Sequence, residues 1–182
     1  MVFSASSAVN YYRGPSRMPA ARFAGSLVGA AAAVTGGSAL ALSSQPRAVN
    51  EAATVSSPDP TYARELASLV TPESAVVDVR GMRERSFDVC IGTGPLPTER
   101  TNAVADAVAR VCSNRGLEVA VNEPFAALPP WTVAHYCQVV LGVPAVQVQF
   151  SASLRDPQRQ QMHAQVTLTA LRAAAETALR TA

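Results

Sequence analysis

The side chains able to do chemistry are few. Two aspartates stand in or beside short apolar runs, Asp78 in Ala75-Val-Val-Asp-Val79 and Asp88 in Phe87-Asp-Val-Cys-Ile91. A carboxylate at such a place serves as a metal ligand or a base, or it pairs with Arg80 or Arg83 beside it; the spacing leaves both readings open. There are two histidines, His135 and His163, so a His-rich metal centre is impossible within one chain. His135 falls on a short helix, and His163 falls on the surface, in the Gln-rich first turns of the last helix. All fifteen basic residues are arginine, which excludes a P-loop lysine, a Schiff-base lysine and a Ser/Lys dyad. Cys90, Cys112 and Cys137 form no C-x-x-C pair, and they read as small buried hydrophobes. Gly92-Thr-Gly94 lies between a strand and a helix. Pro97 takes the place of the third glycine of a dinucleotide fingerprint, so the segment reads as a tight turn, not a phosphate cradle. No G-x-S-x-G elbow exists.

The elements that must hold these residues follow from periodicity and punctuation. Asp59-Pro60 opens a helix carrying Tyr62, Leu66, Leu69 and Val70, and Thr71-Pro72 stops it. Strands are expected at 75–79, 87–91, 117–121 and 145–150, from apolar runs closed by glycine or proline. A helix is expected from Thr98, as cap, to about Asn114, with Val104, Val108 and Val111 on one face. A shorter helix covers 131–141, and a long one opens at Asp156-Pro157 and runs through Leu179. Strands alternating with helices predict an α/β layered domain, with a mostly parallel or mixed sheet flanked by helices. Chemistry is then expected in the loops 80–86, 92–98, 122–130 and 151–156.

The chain has 182 residues, of which 48% are hydrophobic and 15% charged, enough for one domain with or without a leader. A net charge of +2 and no clustered basic face argue against nucleic acid as a partner. Residues 1–22 carry Arg13, Arg17 and Arg22 and no acid, and residues 23–46 carry no charge. Basic, then apolar, then Ala39-Leu-Ala41 has the shape of a secretory leader over 1–42. The competing reading, which we favour, is a strand over Ala31–Thr35 turned by Gly36-Gly37-Ser38. On that reading residues 1–30 form a basic, Ala/Gly-rich leader, residues 31–182 form the single domain, and the chain is cytoplasmic; the secreted alternative keeps 1–42 as a signal. The Gly/Ala-rich run argues against a membrane span. Residues 43–60 read as a Ser/Pro-rich loop.

Ser74-Ala-Val-Val-Asp-Val-Arg-Gly81, Asp88-Val-Cys-Ile-Gly-Thr93, Gly116-Leu-Glu-Val-Ala-Val-Asn-Glu-Pro-Phe125 and Gly142-Val-Pro-Ala-Val-Gln-Val-Gln-Phe150 together resemble N-formylglutamate amidohydrolase. The resemblance covers about half the chain, and Asn122-x-Pro-Phe125 is its most specific piece. It implies a zinc-carboxypeptidase-like architecture and zinc-dependent hydrolysis of an amide C–N bond. The chain departs from the family where metal chemistry is done. Arg80 stands where the family places a histidine before glycine, no histidine precedes His135, and Gln149 replaces the glutamate at the end of the last strand. A permanent guanidinium charge repels a metal ion. If zinc is bound, Asp78, Asp88 and His135 are the ligands to expect, with Asn122 and Arg80 or Arg155 holding a carboxylate substrate. The favoured expectation is a divergent, shortened pseudoenzyme without metal, whose ligand is a small anion bound near Arg80. A secreted protein of non-enzymatic role is the third reading.

Overall fold

The computed structural model describes residues 1–6, 11–13, 16–18, 21–41, 60–156, 158 and 161–181. The expected loop at 43–60 (save Pro60), the cap Asp59 and the helix-opening Pro157 lie outside them.

The strands and helices in chain order are β1 (Val2–Ala5), β2 (Tyr11–Arg13), β3 (Ser16–Met18), α1 (Ala24–Thr35), β4 (Ser38–Ala41), α2 (Pro60–Leu69), β5 (Val76–Gly81), β6 (Val89–Gly92), α3 (Glu99–Ser113), β7 (Val119–Val121), α4 (Val133–Val139), β8 (Ala145–Phe150), α5 (Ala152–Arg155) and α6 (Gln161–Arg180). Six strands form one sheet in the order β4-β1-β5-β8-β6-β7, while β2 and β3 form a separate antiparallel pair. The sheet is mixed. β4, β1, β5 and β8 run parallel, and β6 lies antiparallel to β8 and parallel to β7. The α/β layered class expected from the alternation of elements is what the chain adopts.

Side chains alternate across each strand, and the two faces of the sheet are unlike. One face is wholly apolar. Phe3, Ala5, Val77, Val79, Val89, Ile91, Val146, Val148 and Phe150 are buried there with α1, α3 and α6. α6 is long and presents Ala170, Ala174, Ala175 and Ala178, side chains small enough for α3 to pack closely against it. The other face is apolar only along one row. Val2, Val76 and Ala145 pack under α2 and α4 with Tyr62, Leu66, Val133, Ala134 and Cys137.

Several local expectations are corrected. Ala31–Thr35 is the end of helix α1, not a strand; Gly36, at φ 69°, caps that helix, so the turn lies where expected but ends a different element. β1 and α1 both fall within residues 1–30 or reach into them, and β1 is hydrogen-bonded between β4 and β5. A short helix, α5, occupies most of the expected loop 151–156, and the last helix, α6, starts at Gln161. The four loops expected together are divided, because β6 is antiparallel to β8. Loops 80–86 and 151–156 leave one end of the sheet and loops 92–98 and 122–130 leave the other. The helix α3 matches its expectation, with the Thr98 hydroxyl accepting from the Thr101 N–H.

The loop after β7 doubles back over β6. A Cβ added to Gly92 would lie 2.4 Å from the Phe125 carbonyl oxygen and 3.0 Å from the Ala127 Cβ. Glycine is therefore required there for close approach of two backbones, not for its dihedral freedom. Gly92→Ala is expected to lower the unfolding free energy by about 1–3 kcal/mol, the usual cost of overpacking, measured by urea titration with an unchanged slope.

Candidate functional site

The second face of the sheet carries a polar half. Beyond the apolar row, Ser4 of β1, Asp78 of β5, Gln147 of β8 and Gly92 of β6 stand side by side in register. One pleat further lie Arg80, Gln149 and Cys90. Polar residues at alternate positions of central strands are costly unless partnered, and the partners are specific.

Asp78 is completely buried. Its Oδ1 accepts a hydrogen bond from the Ser4 hydroxyl at 2.8 Å, and its Oδ2 accepts from Arg80 Nε at 2.7 Å. Arg80 Nη2 also donates to the Ser6 hydroxyl at 3.1 Å. Two residues apart on one strand, Asp78 and Arg80 share a face by the period of two, so their pairing needs no distortion. Tyr62 of α2 extends the network. Its hydroxyl lies 2.7 Å from Ser4 Oγ, donates to the Leu40 carbonyl at 3.1 Å and accepts from the Ala5 N–H at 3.2 Å. Burial, and after it the Asp78 charge, pushes the Tyr62 hydroxyl and the Cys137 thiol far above their ordinary ranges.

The opposite wall is the 122–127 loop. The Cys90 thiol lies 3.5 Å from the Glu123 carbonyl, and the Arg85 guanidinium sits 5.1 Å from the centre of the Phe125 ring. Asn122 holds this loop from its root. At φ 64°, it accepts from both the N–H and the hydroxyl of Thr93 through Oδ1. The Gly92-Thr-Gly94 turn has its donors occupied. The Thr93 N–H goes to Asn122, the Gly94 N–H to the Ala126 carbonyl and the Leu96 N–H to Gln138 Oε1. It is the tight turn the sequence suggested, with no amides left to cradle a phosphate.

Of the residues singled out from sequence, Asp78 and Arg80 are brought together as an ion pair. Asp88 is elsewhere. Its Oδ2 accepts from the Glu118 N–H at 3.0 Å, and its charge acts on Cys112, on the opposite face of the sheet. His135 Nδ1 is bonded to the Leu128 carbonyl at 2.7 Å. Asp78, Asp88 and His135 therefore do not converge, and the described residues contain no group of three His, Cys, Asp or Glu placed to hold a metal ion. The donor chemistry agrees, because the carboxylate oxygens of Asp78 already serve a guanidinium and a serine. A zinc ion does not fit these residues. Arg155 is buried and structural. It donates to the Phe150 and Arg22 carbonyls, and burial lowers its pKa against the opposing pull of Glu84. His163 lies in the first turn of α6, with a buried Nδ1 that has no partner.

Sequence reasoning missed Ser4, Ser6, Tyr62 and Gln147. A signal was present, because Asp78, Gln147 and Gln149 each interrupt a run of buried aliphatic residues at the same strand parity. Cys90, Cys112 and Cys137 are free and fully buried, as their composition suggested.

No protein-family model matches the chain, and no curated protein sequence matches it. Among solved structures it is similar to a bacteriophage poly-gamma-glutamate hydrolase, with a TM-score of 0.60 and 17% identity over 99% of this chain and 83% of that one. It is also similar to the N-acetylmuramyl-L-alanine amidase Ami1 from Mycobacterium smegmatis, with a TM-score of 0.52 and 11% identity over 96% of both chains. N-formylglutamate amidohydrolase from Ralstonia eutropha JMP134 aligns over 59% of this chain and 45% of that one, at 16% identity and a TM-score of 0.40, and that likeness carries no argument. At these identities the similarity is one of fold, a layered α/β architecture that amide hydrolases also use. Among the described residues no helix is long and apolar enough to cross a membrane.

Two predictions follow from the network. Arg80→Leu leaves the buried Asp78 carboxylate without its cation and is expected to cost about 3–5 kcal/mol in chemical denaturation, while Asp78→Val combined with Arg80→Leu recovers most of that loss. The second concerns alkaline pH. The folded protein holds Tyr62, Cys137 and Cys112 protonated, Cys112 being pushed from its ordinary 9.0 up to about 12 by burial and then by Asp88. The unfolded chain releases those protons first. The cysteine contributions are thus complete below about pH 9 and that of Tyr62 below about pH 10, and each is lost as pH rises further, with a slope of about 1.4 kcal/mol per pH unit. Unfolding measured from pH 8 to 11 is expected to show this decline, and Cys112→Ala to flatten it.

Proposed function

We propose that this chain is a small-carboxylate-binding protein built on an amide-hydrolase fold, with an ion pair in place of a metal centre. The observation that carries this reading is the Asp78–Arg80 pair at 2.7 Å, set in the polar half of the sheet face. The Arg80 side chain keeps 14% of its exposure while Asp78 keeps none, so the cationic partner is the one facing outward. An arginine fork at the mouth of a buried polar row matches a carboxylate in charge and shape. Gln149, on the neighbouring strand in register with Arg80, adds an amide that can donate to the same anion.

The names of the fold neighbours support this ligand class. One hydrolyses poly-gamma-glutamate and the other is an N-acetylmuramyl-L-alanine amidase, and glutamate polymers carry free carboxylates. Asn122 and Arg155 take no part in binding on this reading, since their polar atoms hold the loop and the chain between α5 and α1. The resemblance to N-formylglutamate amidohydrolase supplies the second reading, an active amide hydrolase. The fold favours it, and the donor set around Asp78 speaks against it.

The test joins metal content to ligand binding. Protein expressed with zinc and never exposed to chelator is expected to hold well under one zinc per chain. Glutarate and L-glutamate are expected to bind in calorimetry, with a loss of at least tenfold in Arg80→Lys, whose ammonium cannot offer the planar fork. Stoichiometric zinc with hydrolysis of formylglutamate would replace this reading with the second.

A further inference from the structure

We propose that Gln147 reads a primary carboxamide, so that the ligand is a short acid with a carboxylate at one end and a terminal –CO–NH2 at the other. The inference rests on the carboxylate reading above and specifies the second half of the ligand.

Gln147 is 3% exposed, and its Oε1 is buried with no hydrogen-bond partner. The same face shows how the fold treats an amide that has only a structural task. Gln138 is equally buried, and it donates to the Thr93 and Ala145 carbonyls and accepts from the Leu96 N–H. Buried polar atoms without partners are rare, and each calls for an explanation. Gln147 sits in register between Asp78 and Gly92, inside the polar row and not at its margin. On the Gly92 side the Phe125 and Ala126 backbone closes over the sheet. Arg80 and Gln149 are its polar neighbours one pleat along.

The chemistry of the group that fits is restricted three times. An orphaned carbonyl oxygen needs a hydrogen-bond donor, which excludes a second carboxylate. A neutral donor costs least to bury beside Gln147, because an ammonium there would need Asp78, whose oxygens already serve Arg80 and Ser4. Finally, a glutamine amide used through both ends pairs with an N–H and an acceptor on one edge of its target, as glutamine does with adenine. A primary carboxamide has that edge. The trans amide of a peptide or an N-acyl amino acid does not, since its N–H and C=O point in opposite directions. Backbone spacing sets the length. Gln147 and Arg80 lie on adjacent strands, two residues out of register, which is about 8 Å between their Cα atoms. A ligand reaching from one side chain to the other would be an acid of four or five carbons.

Calorimetry on the full chain with succinamate, succinate and N-methylsuccinamate tests this. Succinamate is expected to bind at least tenfold more tightly than the other two. Gln147→Leu is expected to reduce succinamate to the level of succinate without lowering the melting temperature, because an apolar side chain of similar size removes an unsatisfied amide. A second readout needs no variant: the Gln147 side-chain amide resonances should shift and gain exchange protection with succinamate and not with succinate. Equal binding of succinamate and succinate, or a preference unchanged in Gln147→Leu, overturns the carboxamide proposal and leaves the carboxylate reading standing. Binding of neither acid overturns both.

Discussion

A carboxylate with no exposure, in a central strand of a six-stranded sheet, dictates much of what surrounds it. A buried carboxylate is costly without a cation and hydrogen-bond donors, and the chain supplies them to Asp78 from three directions. Arg80 comes from the same strand, Ser4 from β1 in register, and Ser6 from the residue that follows β1. Ser4 can serve only if β1 lies beside β5, so the electrostatics of one side chain constrains the strand order. Tyr62 carries the constraint outward. By bonding to Ser4, the Ala5 amide and the Leu40 carbonyl, it fastens α2 across β1 and β4 at once.

The same constraint divides one face of the sheet along its length. α2 and α4 cover the row Val2, Val76 and Ala145. The next two rows carry serine, aspartate, arginine and glutamine, and a helix laid over them would bury more polar groups than it could satisfy. The opposite face has no such interruption and takes three helices. On the proposed reading, the ligand lies over this polar half. The antiparallel entry of β6 then supplies a wall, because the loop after β7 starts from the far end of the sheet and folds back over Gly92 and Cys90.

These features differ in how legible they are in the sequence. The strands β5 and β8 and the helix α3 announce themselves through aliphatic runs and a threonine cap. The helix α1 does not. Its residues, Ala24-Gly-Ser-Leu-Val-Gly-Ala-Ala-Ala-Ala-Val-Thr35, carry no charge to mark a solvent face, so the run reads equally as a leader, a strand or a helix. β1 is four residues long and holds a buried serine, which hides it as well. The direction of β6 is invisible because hydrophobic alternation is the same for parallel and antiparallel pairing, and the expected grouping of the four loops failed for that reason alone. Among site residues, the pairing of Asp78 with Arg80 was one of the readings the sequence left open, beside a pairing with Arg83 and a role as metal ligand or base. Asn122 and Arg155 were misleading because their partners are backbone atoms far away in sequence, and backbone partners leave no trace in a pattern of side chains.

An ion pair at the heart of a site behaves unlike a metal ion. A divalent metal offers a surplus of positive charge and draws in anions strongly; Arg80 is already matched by Asp78. A ligand carboxylate arriving at Arg80 must share one guanidinium with a buried anion, and the repulsion between the two acids offsets much of what the new contact contributes. Charge therefore gives such a site direction more than strength. The rest of the affinity must come from neutral hydrogen bonds in a water-poor setting, where an unmet acceptor is costly and a met one strongly selective. In this chain the buried amides of β8 are the groups positioned to do that, and their discrimination would depend on hydrogen-bond geometry rather than on net charge.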